Sequence, residues 1–135
     1  MVRLWKSIVV YKSEMSFRKA LVIVLKNKGW LVQPIEVGGI NVGVPDLWMI
    51  KGKSMWVELK NTYQEVSNNY VIDFRPGQQS WLLQNHQHGG NSYVIISTKS
   101  WLLVHHFTKL LPNNIITNKQ YTLCQMSNIS DVLLR

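Results

Sequence analysis

GVPDLWMIKGKSMWVELK, running from Gly43 to Lys60, is the stretch on which the reading of this chain turns. Two apolar-rich segments, Val44 to Ile50 and Ser54 to Lys60, flank Lys51-Gly52-Lys53, a loop whose length and glycine suit an antiparallel hairpin. A three-residue loop sets Trp48 opposite Trp56 and Asp46 opposite Glu58. Side chains alternate along a strand, so Glu58 and Lys60 share one face while Val57 and Leu59 point the other way. Two carboxylates and an ammonium group thus converge on one side of the hairpin. The alternative for these residues is a solvated hairpin whose charges have no chemical role.

Upstream, Phe17, Ala20, Leu21, Val24 and Leu25 recur at helical spacing between Ser13, a plausible N-cap, and Gly29, a plausible stop. Val22 and Ile23 make this helix apolar on more than one face, which implies deep burial or a subunit contact. Glu14 lies three residues before Phe17 and seven before Leu21, on the line of the apolar face. It either faces the sheet or is a first-turn acid favoured by the helix dipole. Leu4 to Tyr11 reads as a short strand or an arm, and Trp30 to Val37 as a strand closed by Gly38-Gly39. Downstream, the polar, Asn-rich residues 61 to 72 read as a mobile loop.

Pro76 suits the first turn of a second helix running to about His86, with a Gly89-Gly90 stop. Gln78 shares a face of it with Trp81, Leu82 and Asn85, or serves only as a first-turn polar cap. Ser92 to Ser97 and Trp101 to Phe107 read as strands, and Ile115-Ile116 and Tyr121 to Met126 as edge strands. The order α-β-β-β-α-β predicts an α/β fold, a mixed central β-sheet flanked by helices, as one domain over residues 1–135.

Lysine and arginine number 15 against 7 acids, a formal net charge of +8, scattered from Arg3 to Arg135. A basic surface of this kind points to a polyanion, nucleic acid first. Lys51, Lys53 and Arg75 are the expected phosphate contacts, the alternative being ordinary loop solvation. No apolar run approaches the ~20 residues of a membrane span, and Met1 to Lys6 lacks a signal peptide's apolar region, so a soluble intracellular (cytoplasmic) protein without a membrane partner is expected. Cys124, the only cysteine, is expected to be buried and inert. Of the six tryptophans most should be core or interface anchors, and some could stack on nucleic acid. His86, His88 and His105-His106 lack a third ligand at sensible spacing for zinc.

Hard cations such as Mg²⁺ or Mn²⁺ take carboxylate and carbonyl oxygens plus water and phosphate. Asp46 and Glu58 are suitable ligands, the backbone carbonyl of Leu59 could supply another oxygen, and Glu14 a further one. Lys60 would then orient the attacking water or stabilise charge in the transition state.

With these residues in place, the chain resembles the PD-(D/E)xK nuclease superfamily, and within it the small phage-type VRR-NUC and Holliday-junction-resolvase-like nucleases. The likeness rests on Ser13-Glu14 and its helix, Gly43-Val44-Pro45-Asp46-Leu47, Val57-Glu58-Leu59-Lys60, and Arg75-Pro76-Gly77-Gln78 leading into Trp81-Leu82. The resemblance implies a restriction-endonuclease-like core and a catalytic, metal-binding set of Glu14, Asp46, Glu58 and Lys60, with Gln78 near it. It also implies a metal-dependent DNA endonuclease, selective for branched or junction DNA, and a homodimer. Residues 108–135 lie outside the resemblance, which leaves them open to dimer or substrate contacts. The competing class is a module of the same fold that binds nucleic acid without cutting, a role that does not require an intact acidic set.

Overall fold

Ser13 does cap the first helix, α1 (Glu14–Asn27): its Oγ accepts from the Ser16 amide at 3.1 Å, while the Ser13 amide donates to Ser16 Oγ at 3.3 Å. The structure, a computed structural model, describes residues 13–36, 43–62, 64–65 and 68–135. The expected arm at Leu4 to Tyr11 and the Gly38-Gly39 stop lie outside these residues. Phe17, Leu21 and Leu25 of α1 are buried, as the spacing requires, and the helix ends at Gly29 with φ +91°. Val22 is half-buried against the core, whereas Ile23 is 60% exposed. Of the two readings of that apolar pair, deep burial is thereby excluded for Ile23.

Strands β1 (Leu31–Pro34), β2 (Leu47–Ile50) and β3 (Ser54–Asn61) form an antiparallel meander. Trp48 pairs with Trp56 and Leu47 with Val57, the register expected from the Lys51-Gly52-Lys53 loop. Helix α2 (Gln78–Gln87) then carries the chain to β5 (Ser92–Ser97), which lies parallel to β3, and β6 (Leu102–His106) returns antiparallel. With β8 (Thr122–Cys124) at the edge, the six-stranded sheet has the order β1-β2-β3-β5-β6-β8. The predicted mixed sheet flanked by helices is therefore the observed one.

Alternation along β5 divides the core between the two faces of the sheet. Tyr93 and Ile95 join Phe17, Leu21, Leu59 and Leu133 on the face covered by α1 and the C-terminal helix α3 (Ile129–Leu133). Val94 and Ile96 join Leu82 of α2 on the other, together with Tyr70 and Ile116. Glu58 and Lys60 belong to this second face by alternation with Val57 and Leu59.

Asn61 and residues 69–72 correct the expectation of a mobile loop in part. Asn61 ends β3, and Asn69–Val71 form β4, paired antiparallel with β7 (Ile115–Thr117) in a separate two-stranded sheet. Tyr70 and Ile72 are buried while Val71 is 74% exposed. A three-residue strand is too short to show a period, and its partner lies more than forty residues downstream. Ile115-Ile116 accordingly lines this small sheet rather than the edge of the large one, whereas β8 is an edge strand as expected. Helix α3 was not foreseen, because five residues span little more than one turn.

Trp30 is buried and donates its indole N–H to Ser130 Oγ at 2.8 Å, fastening α3 to the sheet. Trp56 and Trp81 meet edge to face with ring centroids 5.0 Å apart, half-buried between β3 and α2. Cys124 is buried, and burial pushes its thiol up to about 11, which keeps it protonated and unreactive at neutral pH.

Candidate active site

The site forms where β2 parts from β3. Leu47 pairs with Val57, and beyond that point the Asp46 carboxylate takes over the ladder's role, Oδ2 accepting from the Leu59 amide at 2.8 Å. That bond holds Asp46 beside Glu58. The N-terminus of α1 enters from the side and brings Glu14 in. Glu14, Asp46 and Glu58 each offer a carboxylate oxygen, all within 4.8 Å of one another, the one such group among the described residues. The two readings of Glu14 are not exclusive, since it opens α1 and also reaches the cluster.

Glu58 and Lys60 are buried charged residues, so these two side chains are not solvated. Lys60 Nζ lies 3.3 Å from Glu58 Oε2 and donates to Gln78 Oε1 at 2.9 Å. Gln78 bridges the pair, because its Nε2 donates to Glu58 Oε2 at 2.8 Å. Its Oε1 also accepts from the Arg75 amide at 2.8 Å, folding the approach to α2 back onto the helix. Gln78 is thus buried and turned inward, well beyond a surface cap. The Lys60 ammonium also sits 5.8 Å from the centroid of the Phe74 ring.

Glu58 Oε1 is buried and meets no protein donor among the described residues. Burial is the main cause that pushes the Glu58 carboxyl up to about 8, with Asp46 adding to it and Lys60 opposing it. Glu14 is raised in the same sense, first by partial burial and then by Asp46, against Lys60 and Arg75. Asp73 acts on Glu14 in the same direction. Four of the chain's seven acids therefore gather here in a protein of formal charge +8. An all-oxygen donor set with one unpaired buried oxygen fits a hard divalent cation.

Asp73 escaped the sequence reading. Its signal was its place two residues before Arg75, in the segment leading to α2, but no spacing argument linked it to Glu14. Arg75 is exposed and close enough to Glu14 to influence it, at the rim of the cluster. Lys51 and Lys53 are not brought there. They stand five or more strand residues from Glu58, roughly 17 Å at the usual rise. Lys51 donates to the Lys28 carbonyl, and Lys53 to Tyr93 Oη at 2.8 Å and the Leu133 carbonyl at 3.3 Å. The histidines form no metal group among the described residues: His105 Nδ1 meets the Gln120 carbonyl at 2.6 Å, and the His106 ring stacks on Tyr93 at 4.7 Å.

Gly43 aligns the parts. Its φ is +89°, and a Cβ there would stand 2.3 Å from the Gly77 carbonyl oxygen, so the irregular segment leading to Asp46, which replaces the start of the strand expected from Val44, lies directly on the N-cap of the helix bearing Gln78. Gly52, at φ +68°, has nothing within 4 Å of such a Cβ. Gly43→Ala is expected to lose ~1–3 kcal/mol more in urea unfolding than Gly52→Ala, which carries backbone strain without the clash. Equal losses would show that the Gly43–Gly77 approach is not tight.

Similarity is found at the level of fold. A solved structure of Hjc from Archaeoglobus fulgidus, described as a Holliday junction resolvase from an archaeal hyperthermophile, matches with a TM-score of 0.64 at 14% sequence identity, covering 86% of this chain and 98% of that one. The sequence matches no protein-family model and no curated protein.

Proposed function

We propose that this chain is a divalent-metal-dependent nuclease that hydrolyses DNA phosphodiesters, of the small PD-(D/E)xK kind represented by phage VRR-NUC and Holliday-junction-resolvase-like enzymes, and that it acts on branched or junction DNA. The observation that carries this reading is the convergence of three carboxylates with a buried lysine in a strongly basic chain. The resolvase-type fold supports it.

In this reading Asp46, Glu58 and Glu14 hold Mg²⁺ or Mn²⁺, with the Leu59 carbonyl as a further oxygen. When bound, the cation polarises the phosphate and lowers the pKa of the attacking water. Lys60 places a positive charge beside Glu58, where it orients that water and stabilises charge accumulating on the phosphoryl oxygens. Gln78 holds Lys60 and Glu58 at a fixed separation. Arg75, at the rim, contacts a phosphate flanking the scissile bond. No described helix is long and apolar enough to cross a membrane. Relatives that cut branched DNA act on two strands, so we further propose a homodimer, with the exposed Ile23 or residues 108–135 at the contact.

A four-way junction, a flap and plain duplex, each with Mg²⁺, Mn²⁺ or EDTA, test the reading. Cleavage of the branched substrates that EDTA abolishes is expected; no metal-dependent cleavage of any substrate would favour the binding module. Arg75→Ala should weaken binding to short substrates and lower the salt slope by about one unit. Lys51→Ala and Lys53→Ala should do so only where duplex extends more than about five base pairs from the cut, since each pair advances ~3.4 Å.

A further inference from the structure

Past Lys60, the face of β3 that carries the acids opens into a cleft of about 150 Å³. Glu14 and Lys60 belong to both the cluster and the cleft, so a phosphate held by the first places its own nucleotide at the mouth of the second. The lining is mixed: Tyr70, Ile72 and Ile96, each 3% exposed, back it, and the exposed Val71 adds an apolar side. Asn61 and Thr62, at the end of β3 and just beyond it, add a carboxamide and a hydroxyl. An apolar side for the face of a ring, with hydrogen-bonding groups toward its edge, suits a nucleobase.

Size narrows the choice. An apolar cavity of about 150 Å³ accepts benzene, so this volume suits a single six-membered ring. The acids at the mouth, Glu14 and Asp73, are ill placed to welcome a free anion at depth. In paired duplex a base must be unstacked before it can enter, whereas at a branch, flap or mismatch it is already free.

We propose that this cleft receives an unpaired pyrimidine base of the strand being cut, next to the scissile phosphate, and so selects DNA carrying an unpaired nucleotide there. The inference rests on the nuclease reading. Flap and bubble substrates differing only at the nucleotides flanking the cut, each thymidine, abasic or paired, test it on the DNA side, where the protein's stability plays no part. Cleavage should fall at least about fivefold when the base is deleted at one flanking position, the lower bound for one stacked base. Affinity measured with Ca²⁺ in place of Mg²⁺, a cation that occupies oxygen sites, should fall likewise, a readout of binding rather than of rate. Thr62→Trp puts an indole on the cleft's lining to occlude it, and the difference between thymidine and abasic substrates should then vanish in both assays.

Equal rates and affinities for thymidine and abasic substrates at both positions would overturn the cleft proposal while the nuclease reading stands. Preferential binding of thymidine without cleavage of any substrate would overturn the nuclease reading and leave a base-binding cleft. Loss of both would overturn both.

Discussion

Asp46→Asn is expected to reduce metal-dependent cleavage by about a thousandfold while leaving the fold intact. The amide oxygen of asparagine can still accept the Leu59 N–H that Asp46 Oδ2 now takes at 2.8 Å, so the end of β3 keeps its partner. What disappears is one negative charge of the three that converge within 4.8 Å, and with it most of the attraction for a divalent cation. Asp46→Ala is the poorer experiment. It also strips the acceptor from a fully buried residue's amide, adding ~1–3 kcal/mol of destabilisation that confounds the result. Lys60→Ala should lose cleavage to a comparable extent yet retain Mn²⁺ binding, since it deletes a cation from the site rather than a ligand. Single-turnover cleavage, Mn²⁺ titration and thermal unfolding on the two variants separate the roles. Full activity in either variant would remove that residue from the mechanism.

Why these residues were legible, and others not, follows from the range of the interactions. A three-residue hairpin loop sets its register locally, so the proximity of Asp46 to Glu58 and the shared face of Glu58 and Lys60 required nothing beyond the chain between positions 43 and 60. The periodicity of α1 placed Glu14 on the inner line for the same reason. The β4–β7 pairing is the opposite case: two strands of three residues, far apart in sequence, are stabilised by burying Tyr70 and Ile116 against Leu82 and Phe107. No local pattern encodes that. It also decided the site, because the same segment supplies Ile72 and Asp73 to the cleft. Gln78 lay between, since its spacing turned it inward but only the packing of α2 on β5 set it between Lys60 and Glu58. Charge alone singled out Lys51 and Lys53 but could not show the carbonyls that engage both ammonium groups, which packing of the hairpin tip against Lys28 and Leu133 supplies.

Without metal, the protein is expected to lose stability as pH rises from about 6.5 to about 8, and a divalent cation should reverse the trend. The Glu58 carboxyl stands at about 8 in the folded protein against 4.5 for an ordinary glutamate, chiefly because burial disfavours its charged form. Between those values the folded chain holds a proton that the unfolded chain has released. Raising the pH therefore favours unfolding, by at most about 1.4 kcal/mol per pH unit for this one group. His105 and His106 are shifted downward by burial, so they oppose the trend, but only below their ordinary value of 6.5. The window above 6.5 isolates the Glu58 carboxyl. A cation needs the deprotonated form, so its affinity, and the increase in Tm that follows from binding only the folded state, should be larger at pH 8 than at pH 6.5. Glu58→Gln is the decisive variant. Its amide oxygen can still accept from Gln78 Nε2, preserving the bridge, yet it carries no proton to lose. Melting curves from pH 6.5 to 8.5, in EDTA and in Mg²⁺, should show a falling Tm for the native chain in EDTA, restored by Mg²⁺, and a flatter, Mg²⁺-insensitive profile for Glu58→Gln. A flat profile for the native chain in EDTA, or an undiminished slope in the variant, would show that the buried carboxyl is not the titrating group and would take from the proposed metal centre its main electrostatic support.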